Sequence, residues 1–175
     1  MAIKTIFLDR DGVINKEVGY LHRIEDFEFI NGVFDACKHL QNLDYKIIIV
    51  TNQSGIYRGY YTESDFQVLT EWMIKKFKKN DIAVFDIFHC PHGPESNCNC
   101  RKPMPGMLIE AKDKHNIDMD KSWMIGDNEN DIKAAESAGI SNTILVKSGH
   151  KIDESKSGAK FFLESIQQLK QVILY

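Results

Sequence analysis

Five short apolar runs recur along the chain, at residues 3–8, 47–50, 84–88, 123–125 and 143–146, and longer segments of mixed polarity separate them. The runs are rich in β-branched and aromatic residues and show no alternation with polar positions. That pattern predicts strands buried on both faces, as in a parallel sheet, and an α/β fold with helices on both faces. The intervening segments carry helical signals. Thr62 reads as an N-cap, with Glu63 and Asp65 in the first turn, Phe66, Leu69, Met73 and Phe77 along one side, and Trp72 at the buried edge. Another helix is expected to begin near Pro105, a residue suited to the first helical position. A third is expected over 128–138, ended by Gly139. Cys37 falls among Val33, Phe34 and Leu40 in a helix-like segment and reads as a small core residue. Residues 151–160 read as polar loop, followed by a short amphipathic closing helix. Repeats, low-complexity tracts and linkers are absent, so residues 1–175 are expected to form a single domain.

Polar residues with chemical potential stand where these runs end. Asp9 and Asp11 follow the first run with Gly12 behind them, so one turn can gather two carboxylates and the backbone carbonyls between them around a small centre. A divalent metal and a phosphate fit that description. Thr51-Asn52-Gln53-Ser54-Gly55 follows the second run, and Gly126-Asp127 ends the fourth. In open α/β sheets ligands bind beyond the carboxyl ends of the strands, so these groups are expected to converge.

Composition narrows the partners. With 175 residues, 43% of them hydrophobic, and a net charge of −3, the chain can bury one good core and shows no basic stripe for nucleic acid. No stretch has the length of a membrane span. The Met1-Ala2-Ile3-Lys4 start lacks the form of a signal segment, so a cytoplasmic protein is expected, without membrane partners. Cys90, His92, Cys98 and Cys100 put three thiols and an imidazole within eleven positions. That is the usual complement of a closed tetrahedral zinc site, with no open position for catalysis, so the zinc is expected to be structural. His89 is the rival imidazole and reads as facing structure.

The chain resembles the haloacid dehalogenase superfamily along almost its whole length. The resemblance rests on the order of Asp9-Arg10-Asp11-Gly12, Thr51-Asn52-Gln53, Arg101-Lys102-Pro103 and Gly126-Asp127. Within it, Gly19-Tyr20, the segment Asp26-Phe27-Glu28-Phe29-Ile30, Arg58-Gly59, Leu69-Thr70-Glu71-Trp72-Met73 and Cys100-Arg101-Lys102-Pro103 look most like the D-glycero-D-manno-heptose 1,7-bisphosphate phosphatases. The histidinol-phosphate phosphatases are near relatives with the same acid pair, Thr-Asn-Gln turn and cysteine loop. The short spacer from His92 to Cys98 resembles theirs, and Asn128 stands where some relatives have a basic residue.

The resemblance implies a Rossmann-like sheet with a minimal cap and a zinc-stabilised loop. The implied activity is removal of the 7-phosphate of a heptose bisphosphate in a pathway to lipopolysaccharide heptose. Asp9 would be the nucleophile, forming an aspartyl-phosphate, and Asp11 the general acid and base. Mg²⁺ would sit on Asp9, Asp127 and the backbone carbonyl of Asp11, with Asp131 either near its water shell or in solvent. Thr51 and Lys102 would stabilise the phosphoryl group. Glu17, Val18, Gly19, Tyr20, Asn52, Gln53, Ser54 and Arg101 would bind the phosphorylated sugar, and Zn²⁺ would fix Arg101 and Lys102 in place. A monomer is expected. Histidinol phosphate as substrate, and a non-catalytic phosphate-responsive module, are the competing readings; Asp11 beside Asp9 speaks against the second.

Overall fold

The computed structural model describes residues 2–174. Its centre is a six-stranded sheet in which every pairing is parallel: β1 (Thr5–Leu8), β2 (Lys46–Asn52), β3 (Val84–Cys90), β4 (Trp123–Gly126), β5 (Asn142–Val146) and β6 (Phe161–Leu163), in the spatial order β3-β2-β1-β4-β5-β6. From β1 the order runs one way to β2 and the other way to β4. A crevice therefore opens at the carboxyl end of β1, the switch point of the sheet.

Alternate strand residues supply two cores, as the two-residue period of a strand requires. Ile6, Leu8, Ile47, Ile49 and Ile125 face α1 (Val33–Asn42) and α2 (Glu63–Lys79), while Phe7, Ile48, Val50 and Met124 face α3 (Gly106–His115) and α4 (Glu129–Ser137). Cys37 is fully buried in the first core. Helix α2 starts as the pattern predicts: Thr62 Oγ1 accepts from the Asp65 amide and the Asp65 carboxylate accepts from the Thr62 amide, a reciprocal cap. Pro105 takes the cap position of α3 rather than its first turn, and Asn128 caps α4 with the help of Asp131.

The carboxy-terminal part departs from expectation. The polar stretch leads into β6, which pairs with β5 through Ile144 and Phe161, Leu145 and Phe162, and Val146 and Leu163. The closing helix is of 3-10 type, Ile166–Gln171, with Ile166 and Leu169 buried. Between β1 and α1 there is no inserted domain. The chain there is tied by short backbone bridges, Lys16 N to Glu28 O at 2.9 Å and Ile30 N to Ile14 O at 2.9 Å, in keeping with a minimal cap. Among the described residues no helix is long and apolar enough to cross a membrane.

Candidate active site

The carboxyl ends of β1 and β4 bring acids together. Asp9 leaves β1 with its amide still bonded to Ile125 O, Asp127 follows β4, and Asp131 lies in the first turn of α4. Carboxylate oxygens of the three lie within 4.8 Å of one another. Burial pushes the Asp9 carboxyl well above its usual range; Lys102 opposes this, and Asp131, Asp127 and Asp11 add to it. Asp127 is raised by burial and by Asp131, against the pull of His150. Its Oδ2 accepts from both the amide and Nδ1 of His150, at 3.0 and 2.6 Å. A Cβ at Gly12 or Gly149 would overlap that carboxylate, so the two glycines make room for it.

Lys102 is the cation of this cluster and is 3% exposed. Its Nζ lies 2.6 Å from Asp131, 3.1 Å from Asp9 and 2.8 Å from Val50 O. Burial alone would lower the ammonium pKa, but Asp131 and Asp9 outweigh it and raise it above its ordinary value. Asp131 is 1% exposed, which removes the solvent-facing alternative; its other oxygen accepts from the Asn128 amide.

Asp11 points elsewhere. Arg10 reaches it through Nε at 3.2 Å and through Nη2 at 3.0 and 2.9 Å. Asn15 Nδ2 adds a bond at 2.9 Å and Gln53 Nε2 one at 3.1 Å. Its carboxylate is therefore taken up by these donors and stands apart from the cluster of Asp9, Asp127 and Asp131.

The Thr51 turn divides in two. Thr51 is buried, its Oγ1 2.8 Å from Gln53 Nε2, and Gln53 itself is 2% exposed. Asn52 clasps the backbone of Lys102, accepting from its amide at 3.0 Å and donating to its carbonyl at 3.1 Å. Ser54 is half-buried. Glu17, Asn52 and Arg101 line one open cleft with Asp9, Asp11, Lys102, Asp127 and Asp131. Burial and then the Asp11 charge raise the pKa of Glu17. Val18 and Tyr20 are exposed on the flap outside the cleft, and Gly19 carries its turn with φ of 72°.

The cysteine loop closes on itself. Cys90 and Cys98 sulfurs are 3.7 Å apart, Cys98 and Cys100 3.6 Å, Cys90 and Cys100 2.9 Å, and His92 Nδ1 lies 3.5 and 3.3 Å from Cys90 and Cys100. A tetrahedral site with zinc–sulfur bonds of about 2.3 Å has sulfurs roughly 3.8 Å apart. The donor set fits zinc in type, and the Cys98 sulfur fits it in spacing to both others, while Cys90 and Cys100 lie closer together than a shared zinc allows and would part to hold one. Burial opposes ionisation of Cys98, but the Arg101 amide and the neighbouring thiols bring it down to about 6. His89 bonds Glu63 at 2.7 Å and stacks on Phe66, outside the cluster. The acid cluster offers only hard oxygens, and the close approach of the Asp9, Asp127 and Asp131 carboxylates suits a small divalent cation such as Mg²⁺.

The sequence reading passed over Arg10, Tyr61, Asn130 and His150. Asn130 and His150 line the cleft; His150 carried a usable signal, following Gly149 just beyond the end of β5. Arg10 stands between the two acids in the sequence, and Tyr61 shows its place only in three dimensions.

A buried lysine tied to an aspartate at the end of β1, and a second acid pair beyond β4 at the switch point of a parallel sheet, define an aspartate-centred phosphotransferase site of the haloacid dehalogenase class. Comparison with known proteins agrees. The HAD-hydrolase-like family model matches residues 99–169. The chain is 49% identical, over 90% of its length and 90% of the relative's, to the D-glycero-alpha-D-manno-heptose-1,7-bisphosphate 7-phosphatase of Photorhabdus laumondii. It is 43% identical, over 98% of its length and 94% of the relative's, to the D-glycero-beta-D-manno-heptose-1,7-bisphosphate 7-phosphatase of Escherichia coli K12. The crystal structure of D,D-heptose 1,7-bisphosphate phosphatase from B. bronchiseptica, complexed with magnesium and phosphate, matches at a TM-score of 0.85 and 29% identity, covering 97% of each chain. The chain belongs to the D-glycero-D-manno-heptose-1,7-bisphosphate 7-phosphatase family of haloacid dehalogenase-like hydrolases.

Proposed function

We propose that this chain is a phosphatase that removes the 7-phosphate of D-glycero-D-manno-heptose 1,7-bisphosphate by way of an aspartyl-phosphate on Asp9. The observation that carries the reading is the pairing of Asp9 with a buried Lys102 in an acid-lined cleft, in a chain so similar to these phosphatases. An Asp9 oxygen attacks phosphorus, and the bond from phosphorus to the sugar oxygen breaks. Asp11 gives that oxygen its proton and later takes one from the water that hydrolyses the acyl phosphate. Lys102 and the Thr51 hydroxyl stabilise the phosphoryl oxygens as charge shifts among them. Asp9, Asp127 and the Asp11 carbonyl would hold Mg²⁺, which neutralises charge on the phosphate when bound. Lys102 keeps its place through Asp131 and Asn52, and Arg101, whose guanidinium donates to His92 O at 3.3 Å, faces the substrate from the thiol loop. Cys90, His92, Cys98 and Cys100 would hold a structural Zn²⁺.

Glu17 at the cleft, with Val18, Gly19 and Tyr20 on the flap and Ser54 at the turn, falls to sugar recognition. We place the activity in a cytoplasmic monomer, since one chain supplies the whole cleft and the loop needs reduced thiols.

The test is phosphate release with Mg²⁺ from both anomers of the heptose bisphosphate and from histidinol phosphate, with Asp9→Asn as the blank. The expected result is a preference of ~100-fold or more for a heptose anomer, about 2.7 kcal/mol in the transition state. Preference for histidinol phosphate overturns the substrate assignment, and release that survives Asp9→Asn overturns the mechanism.

A further inference from the structure

Gln53 stands in the turn where substrate contacts are expected, yet it is buried behind the cleft and all its polar atoms are engaged within the protein. Its Oε1 accepts from the Tyr61 hydroxyl at 2.5 Å and from Arg10 Nη2 at 3.4 Å. Two donors on one side of an amide fix which end is oxygen, so Nε2 must face the other way. There it meets Asp11 Oδ2 at 3.1 Å and Thr51 Oγ1 at 2.8 Å. Tyr61 is itself held, stacked on His22 with ring centroids 5.0 Å apart and planes 9° from parallel.

We propose that Gln53 is a positioning residue for the acid and base Asp11, its amide locked in one sense by Tyr61 and Arg10, and that it is not a substrate ligand. The inference rests on the phosphatase reading above. Arg10 holds the carboxyl by a forked, charge-assisted contact, and the neutral amides of Asn15 and Gln53 complete its four acceptor positions. To carry a proton, Asp11 gives up one neutral amide bond while the guanidinium keeps the carboxyl in place. In the first step that proton moves to the sugar oxygen, which keeps the electron pair of the breaking bond to phosphorus and leaves as the alcohol. Asp11 is left ionised and again fully bonded, the form that accepts a proton from water. The same amide donates to Thr51 Oγ1, so the hydroxyl proton of Thr51 points away from Gln53 and stays free to serve an oxygen of the phosphate.

The experiment uses phenyl phosphates whose ring substituents vary the basicity of the leaving oxygen while recognition stays constant. The quantity read is kcat/KM, which reports the steps through departure of the alcohol. Gln53→Glu turns the Asp11-facing donor into an acceptor, and Tyr61→Phe removes the lock with almost no change in volume. For Gln53→Glu the loss is expected to be small for the best leaving groups and to grow to roughly 100-fold for the most basic ones, the scale of general acid catalysis. Tyr61→Phe should give a smaller loss with the same trend. A loss uniform across the series in both variants overturns the proposal in favour of a general structural role. Weaker inhibition by inorganic phosphate with an unchanged trend overturns it in favour of substrate contact. Wild-type protein that hydrolyses no monoester overturns the phosphatase reading, and this inference with it; either of the other failures leaves that reading intact.

Discussion

The oxygen-lined cleft and the sulfur-lined loop meet at Lys102, but they are held by different means. The acids of the cleft come from strand ends and the first turn of a helix, with fully buried Leu8 and Ile125 behind them. The loop carrying His92, Cys98 and Cys100 is largely surface and has a short 3-10 turn, Pro94–Ser96, with no buried residue. Topology places the first set, and chemistry must place the second. A cluster held by the sheet can tolerate buried carboxylates that also repel one another; burial foremost, with repulsion added, raises the pKa of Asp9 and Asp127. A loop without a core depends on a cross-link.

The largest expected effect breaks function without breaking the cleft. Asp9→Asn removes the nucleophile and should lower phosphate release by at least about 10³-fold. It also removes a desolvated charge repelled by Asp131, Asp127 and Asp11, so the thermal midpoint should stay level or rise. A lower midpoint in the protein without Mg²⁺ would show that the Lys102 contact outweighs that repulsion.

Lys102→Met separates the two regions more sharply. Asp131 would keep only the Asn128 amide for its buried carboxylate, and an uncompensated buried charge costs about 3 kcal/mol or more. Urea unfolding without Mg²⁺ should register that loss, and added Mg²⁺ should recover part of it by binding the native acids. Equal stability of variant and wild type would mean that the carboxylates relax by taking up protons.

How far these sites were legible in the sequence follows the same division. Asp9, Asp11 and Asp127 could be placed because a strand's end is a local feature and topology brings such ends together. That Cys90, His92, Cys98 and Cys100 come together could be read from spacing alone. Gln53 and Asn52 could not be separated in role, because their partners Asp11 and Lys102 lie 42 and 50 positions away. Asp131 was left between metal and solvent for want of its partner Lys102. Strand β6 was missed because it is three residues long, with two only half-buried, and follows a polar run. Its pairing with β5, and not its own pattern, makes it a strand.

Two anchors hold Lys102, and variants can rank them. Cys98→Ser, or removal of zinc with a chelator, should lower activity about 10–100-fold and lower the thermal midpoint together. Asn52→Ala should leave zinc content unchanged while loosening the Lys102 backbone by about 1 kcal/mol, roughly fivefold in turnover. Unchanged turnover in zinc-free protein would assign the positioning to Asn52 and the sheet alone.

The smallest effect concerns the edge strand that delivers Cys90 to the loop. On β3, Asp86 Oδ2 meets Lys114 at 2.7 Å and His115 at 2.6 Å, both from the end of α3, and Oδ1 accepts from the Ile87 amide. Partial burial would raise the Asp86 pKa, but these donors outweigh it and hold the carboxyl below its ordinary value of 3.8. A carboxyl depressed in the folded state stabilises it fully above the unfolded value and loses that contribution as pH falls through the lower folded value. The stability difference between wild type and Asp86→Asn should therefore be constant well above pH 3.8 and shrink below it. Because both proteins protonate their other acids alike, the difference isolates this staple. A difference that persists undiminished at the acid end would place its origin in packing of the side chain and not in its charge.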